Sequence, residues 1–333
     1  MTRPPGPWWA ELPPAAGSAV MATGIVSIGL HLVGHETFSR AALALAGAVW
    51  VVLAADFSVR FLRDRPRWHA EADTPPALTA VAATAVLGTR LSALGWQPAA
   101  AALLAMAAAL WPGLLYSVVR HWKRRMPGGA FLVCVATQGL AVPAATLAAM
   151  GEGDWLARAA LVVFCLGVLL YGEALVRFDF RQVWTGAGDQ WIAGGALAIS
   201  ALAGSKLTAS PLWTGDAHQV LRTATLVLLG LGLAWYAVLL TAEVVGPRPH
   251  YDVRRWATVF PLGMAAVAAL STAAATHVRG LHTLGVVLLW VAVAAWLLTL
   301  AGFLMTRVGG GAGRVPGNGA SAPATEPAAT PPR

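Results

Sequence analysis

The sequence predicts an all-α membrane protein, with about ten transmembrane helices paired as five helical hairpins. Three observations predict it. First, 57% of the 333 residues are hydrophobic and 11% are charged, against about 25% charged in soluble domains. A soluble interior cannot hide that much apolar chain, so lipid must cover part of it. Second, apolar runs of about 20 residues, the length that spans a hydrocarbon core, recur from end to end. Third, the basic residues fall unequally on the two sides of those runs.

The runs lie at 13–33, 41–62, 76–94, 98–119, 130–150, 156–176, 191–210, 220–244, 256–276 and 281–305. The first lacks the basic start and small-residue cleavage site of a signal peptide, so it reads as a retained span. The third and seventh are short and interrupted by Arg90 and Lys206. Residues 1–12 form a short leading segment, expected to be cytoplasmic, and 13–306 the ten-helix membrane domain. Residues 307–333 form a Gly-, Ala- and Pro-rich tail that cannot bury a core and is expected to be disordered.

If both ends are cytoplasmic, 17 of the 23 Lys and Arg residues lie on the cytoplasmic side. They cluster as Arg60, Arg63, Arg65 and Arg67, as Arg120, Lys123, Arg124 and Arg125, and in two later loops. That is a strong positive-inside signal at the cell membrane, and it requires an even number of spans. The odd-numbered runs start at regular intervals and hold the helix-weakening and hydroxyl residues, among them Pro143, Gly194, Gly195 and Pro261. Five hairpins of one orientation, set in a ring, would put one helix of each around an axis.

Chemistry of other kinds is not signalled. No metalloprotease, phosphate-loop or nucleophile-elbow motif occurs, so neither an enzyme nor a cofactor is expected. His69, Glu71 and Asp73 read as a solvated loop rather than a metal site. Cys134 and Cys165 read as two buried small hydrophobes. The formal charge of +8 is explained by topology, so nucleic acid is not an expected partner. Charges inside spans are costly and point to function. Arg90 and Lys206 could line an anion path or snorkel to the interface. Glu173, with Arg177 four residues on, could be a titrating group or an i,i+4 pair. No chain of buried acids runs through the odd spans, which favours anions over cations.

Three segments carry a family resemblance: Ser18-Ala-Val-Met-Ala-Thr-Gly-Ile-Val-Ser27, Gly188-Asp-Gln-Trp-Ile-Ala-Gly-Gly-Ala-Leu-Ala-Ile-Ser200 and Trp256-Ala-Thr-Val-Phe-Pro-Leu-Gly-Met264. Together they resemble the tellurite-resistance and C4-dicarboxylate transporter family, which includes the plant guard-cell slow anion channels. The resemblance covers about residues 8 to 306. It implies inner helices of five hairpins around a pore, often in a homotrimer with one pore per subunit, and a phenylalanine plug matched here by Phe260. An aromatic ring beside Pro261 suits that task, because it can close a narrow pore by sterics and dewetting. The seventh span departs from the family in lacking a proline, and the long regulatory extensions of the plant channels have no counterpart.

The expected activity is passage of small inorganic anions or C4-dicarboxylates. Phe260 is the expected gate, and Thr23, Gly24, Ser27, Gln138, Ser200 and Ser271 are candidate lining groups. Arg90 and Lys206 would raise local anion concentration. The alternative is a proton-coupled dicarboxylate, malate or sulfite exporter on the same scaffold, with Glu173 as the titrating acid. A third class, tellurite handling through the cysteines, needs thiols more reactive than these surroundings provide.

Overall fold

The computed structural model describes residues 16–247 and 251–312. Each of the ten apolar runs contains one long helix: α1 (Gly17–Leu32), α2 (Glu36–Arg63), α4 (Thr79–Ala93), α5 (Gln97–Arg120), α6 (Leu132–Ala149), α7 (Asp154–Arg177), α9 (Ile192–Thr208), α10 (Gly215–Val245), α11 (Trp256–Thr276) and α12 (Leu281–Ala312). Two short helices, α3 (Arg65–Ala72) and α8 (Gln182–Thr185), lie in the basic loops. No strand is assigned among the described residues. Among the described residues, seven helices are long and apolar enough to cross a membrane. The other three, α1, α4 and α9, have 16, 15 and 17 residues.

Three boundaries differ from expectation. The backbone of α12 continues to Ala312, so the start of the supposed tail is helical. The rest of that tail and residues 1–12 lie outside the described residues. The third and seventh runs open in short 3-10 turns, Pro75–Leu78 and Asp189–Trp191, which shortens their α-helices.

Burial divides the helices into two sets. In α2, α5, α7, α10 and α12, 17–22% of the apolar window is buried; in the segments containing α6 and α11 the figure is 94–100%. Almost every residue of α1, α4 and α9 is buried as well. The buried set closes on itself: α1 packs on α4 and α11, α4 on α6, α6 on α9, and α9 on α11. Each exposed helix packs on the buried helix that precedes it in the chain. An apolar surface left open on the outer set is what lipid would cover.

Local chemistry explains the closeness of the ring. Gly17 packs on Thr79 and Gly24 on Val86, so α1 and α4 run parallel. Gly188 lies against Thr258 and Gly195 against Pro261, which makes α9 and α11 parallel too. Small residues let helix backbones approach where no hydrophobic drive exists between them. The turns α1–α2 and α4–α5 each hinge on a glycine at φ 83°, Gly34 and Gly95, a conformation that other residues resist.

Three outer helices are tied to inner ones by the same bond. Trp50 Nε1 of α2 donates to Thr84 Oγ1 of α4 at 2.9 Å. Trp111 Nε1 of α5 donates to Thr137 Oγ1 of α6 at 3.0 Å. Trp296 Nε1 of α12 donates to Thr23 Oγ1 of α1 at 3.0 Å, joining the last long helix to the first.

Candidate functional site

The interior of the buried ring is the candidate site, and α11 defines its direction. Pro261 touches α9 at Gly195, where an added Cβ would stand 2.9 Å from Pro261 Cγ. Gly263 touches α1, where a Cβ would stand 2.7 Å from Ile25 Cγ2. At 3.6 residues per turn these two contacts point about 160° apart across the smaller arc. That arc faces into the ring, because α9 and α1 are the ring neighbours of α11. Phe260, Met264 and Ser271 all project within about 20° of its bisector. Phe260 and Met264 are each 1% exposed, so side chains fill the axis at this level. Ser271 is buried, and its Oγ has no hydrogen-bond partner.

The other candidate lining groups each contact a neighbouring helix. Thr23 accepts from Trp296 of the outer helix α12. Ser27 exchanges bonds with Ser39 of α2: each hydroxyl donates to the other residue's carbonyl at 2.7 Å. Gly24 packs on Val86 of α4. Gln138 Nε2 donates to the Phe164 carbonyl of α7 at 3.0 Å, and its Oε1 has no partner. Ser200 donates to the Ala196 carbonyl and lies 3.7 Å from Cys134 Sγ of α6. A hydroxyl or amide in a membrane helix is as useful between helices as along a path. Sequence spacing does not tell the two apart.

The three charges separate just as clearly. Arg90 is wholly buried and points to the α1–α2 turn. Its Nη2 donates to Glu36 Oε1 at 2.8 Å and its Nε to Ser39 Oγ at 3.0 Å, while Nη1 has no partner. Glu36 also holds Arg40 Nε at 2.9 Å and His31 Nδ1 at 2.7 Å. Arg90 is thus neutralised by an acid 54 residues away, a pairing no local pattern could reveal. Glu173 is an exposed residue of α7, bonded to Arg177, and lies outside the ring. Lys206 is the one residue of α9 that is not buried, and no ion pair or hydrogen bond engages it among the described residues.

Other groups prove structural. Glu71 bridges Arg60 and Arg67, and Asp56 pairs with Arg60 at 2.7 Å. Asp189, in the second of the resembling segments, accepts from Gly129 N at 3.2 Å and so ties the start of α6 to that of α9. Cys134 is buried as expected, but Cys165 is exposed on α7, because the outer helices keep an open face. A cavity of about 740 Å³ lies between α1, α2, α4 and α5, lined by Trp50, Phe57, Trp68 and Leu110. None of its lining residues belongs to α6, α9 or α11.

A family model described as "Voltage-dependent anion channel" matches residues 11–304, nearly the whole chain. The chain belongs to that family. Membership in the voltage-dependent anion channel family agrees with the resemblance in the three segments and accounts for the all-α, membrane-type architecture. Within reach of the same chain are proteins from two strains of Mycobacterium tuberculosis, each called an uncharacterized membrane protein. Each is 31% identical over 125 residues, covering 34% of this chain and 61% of the relative. The chain therefore spans about three-fifths of the length of these curated relatives.

Proposed function

We propose that this protein carries small anions across the cell membrane along the axis of its buried ring, and that Phe260 closes that path. In this reading all ten long helices span the bilayer as five hairpins, with both termini cytoplasmic. The observation that carries it is the position of Phe260. It is fully buried, on the inward face of α11, between the contacts to α1 and α9. A wide aromatic ring there leaves no room for a hydrated ion, and a small residue would. Family membership supports anions as the class of substrate. The ring also carries no acid among its described inward groups, which suits an anion path better than a cation path. A homotrimer with one path per subunit is the assembly that the family resemblance implies.

The test is anion flux in liposomes, wild type beside Phe260→Ala, with and without a pH gradient. The mutant is expected to pass nitrate or chloride at least about tenfold faster, with no dependence on the gradient. Equal flux from a mutant that elutes and melts like a folded protein would remove the gate. Flux that required the proton gradient would favour the coupled dicarboxylate or sulfite exporter. That alternative lacks a structural carrier in Glu173, whose side chain lies on the outside of α7 and is paired with Arg177.

A further inference from the structure

Lys206 is an anomaly that gating by Phe260 does not explain. Sixteen of the 17 residues of α9 are buried, so this helix has no face for lipid. A lysine at the end of such a helix would normally either pair with an acid or reach outward to the interface. Lys206 pairs with nothing among the described residues. Its direction can be read from the register. The α10 side of α9 is marked by Gly194, which packs on Trp235, and by Gly204, which packs on Thr225. Lys206 stands about 120° and 160° from these two around the helix. It shares its face with Ile199 and Ala203 instead, at i−7 and i−3. That face lies next to Gly195, the point of contact with Pro261 of α11, and turns towards the inside of the ring.

A second observation meets it from α11. Eleven residues on from the Gly195–Pro261 contact, about 16 Å along two parallel helices, α9 reaches Lys206 and α11 reaches Thr272. Thr272 is 0% exposed and its Oγ1 has no hydrogen-bond partner. The neighbouring Ser271, on the Phe260 face, is also buried with an orphan Oγ. Unpaired buried hydroxyls are uncommon, because each costs the free energy of its lost hydrogen bonds. Two of them at the level of an unpaired ammonium make a set of donors without an acceptor.

We propose that Lys206 Nζ and the hydroxyls of Ser271 and Thr272 form an anion-binding site at the end of the ring remote from the basic loops. The ligand is a small monovalent oxyanion or halide, held by one positive charge and two hydroxyl donors. The site selects anions and concentrates them on their way to Phe260. It rests on the proposed transport reading, but its occupancy can be measured without transport.

Lys123 and Lys206 are the two lysines of the chain, and Lys123 is exposed in a basic loop. Purified full-length protein would be treated with an amine-acylating reagent in sodium nitrate or in sodium gluconate at equal ionic strength, and each lysine followed by mass spectrometry. Nitrate is expected to slow acylation of Lys206 at least about threefold and to leave Lys123 unchanged. The Ser271→Ala/Thr272→Val variant is expected to lose that protection. Equal Lys206 rates in the two salts would overturn the site. In liposomes, Lys206→Met should raise the half-saturating nitrate concentration by about tenfold. Lys206→Arg should stay within about twofold, and Arg158→Gln, an exposed charge of α7, should match wild type. An unchanged half-saturation in Lys206→Met would also overturn the site. Wild-type liposomes that pass no anion would instead refute the transport reading, while protection of Lys206 could still stand.

Discussion

Phe260 and Arg90 were both conspicuous in the sequence, and the structure treats them in opposite ways. Phe260 looks inward, because its neighbours Pro261 and Gly263 are each committed to an adjacent helix. Arg90 looks away from the axis, because Glu36 and Ser39 hold it at the α1–α2 turn. A buried ion pair gives little net stability, but breaking one leaves an uncompensated charge. Glu36→Gln is therefore expected to destabilise the protein by leaving the buried Arg90 without its acid, read as a lower melting temperature in detergent. The double variant Glu36→Gln/Arg90→Met should recover much of that loss. A Glu36→Gln protein as stable as wild type would mean that Arg90 is satisfied by other groups. Rarity in a membrane span made Arg90 visible, but its partner lies 54 positions away, beyond any sequence window.

Helices in this fold meet through small residues and isolated hydrogen bonds. The Trp-to-Thr ties from α2 to α4, α5 to α6 and α12 to α1 repeat one device around the ring. Interhelical hydrogen bonds in lipid average about 0.6 kcal/mol. Thr84→Val and Thr137→Val should each lower stability by about that amount in a denaturant titration. Thr23→Val should do the same and leave anion flux unchanged, since its hydroxyl faces α12. A changed flux would return Thr23 to the lining set. Gly195→Leu belongs to the same scale with a larger effect. A Cβ there already crowds Pro261 at 2.9 Å, so α9 and α11 would have to part. The expected result is loss of folded protein on size exclusion.

At the scale of the whole molecule, charge and burial carry the prediction. The basic loops follow α2, α5, α7 and α10, all at the end where the inner helices begin. Single cysteines at Arg63 and Arg124, introduced with Cys134 and Cys165 replaced by serine, are expected to react with an impermeant maleimide from the cytoplasmic side alone. Labelling from outside intact cells would invert the proposed topology. Glu173 lies outside the ring, so Glu173→Gln should transport at the wild-type rate at every pH gradient. A loss of gradient-driven uptake in that variant would restore the coupled exporter.

Hydropathy and periodicity determined much by themselves: an all-α membrane-type chain, the location of the ten long helices, their orientation bias and the division into small-residue and greasier sets. These are properties of segments, set by transfer free energy and local composition, so a window of about 20 residues holds them. The candidate site was legible only in part. Phe260 and Ser271, both named from the sequence, share one face of α11, whereas Thr23, Ser27 and Gln138 hydrogen-bond to outer helices, Gly24 packs on α4 and Ser200 lies beside Cys134 of α6. Met264 and Thr272 were not singled out, although Met264 ends one of the resembling segments. Which face of a buried helix looks inward depends on where its neighbours touch it. The Gly195–Pro261 and Gly263–Ile25 contacts decide that for α11. When every face of a helix is apolar and packed, no amphipathic stripe records its orientation, and only tertiary packing can.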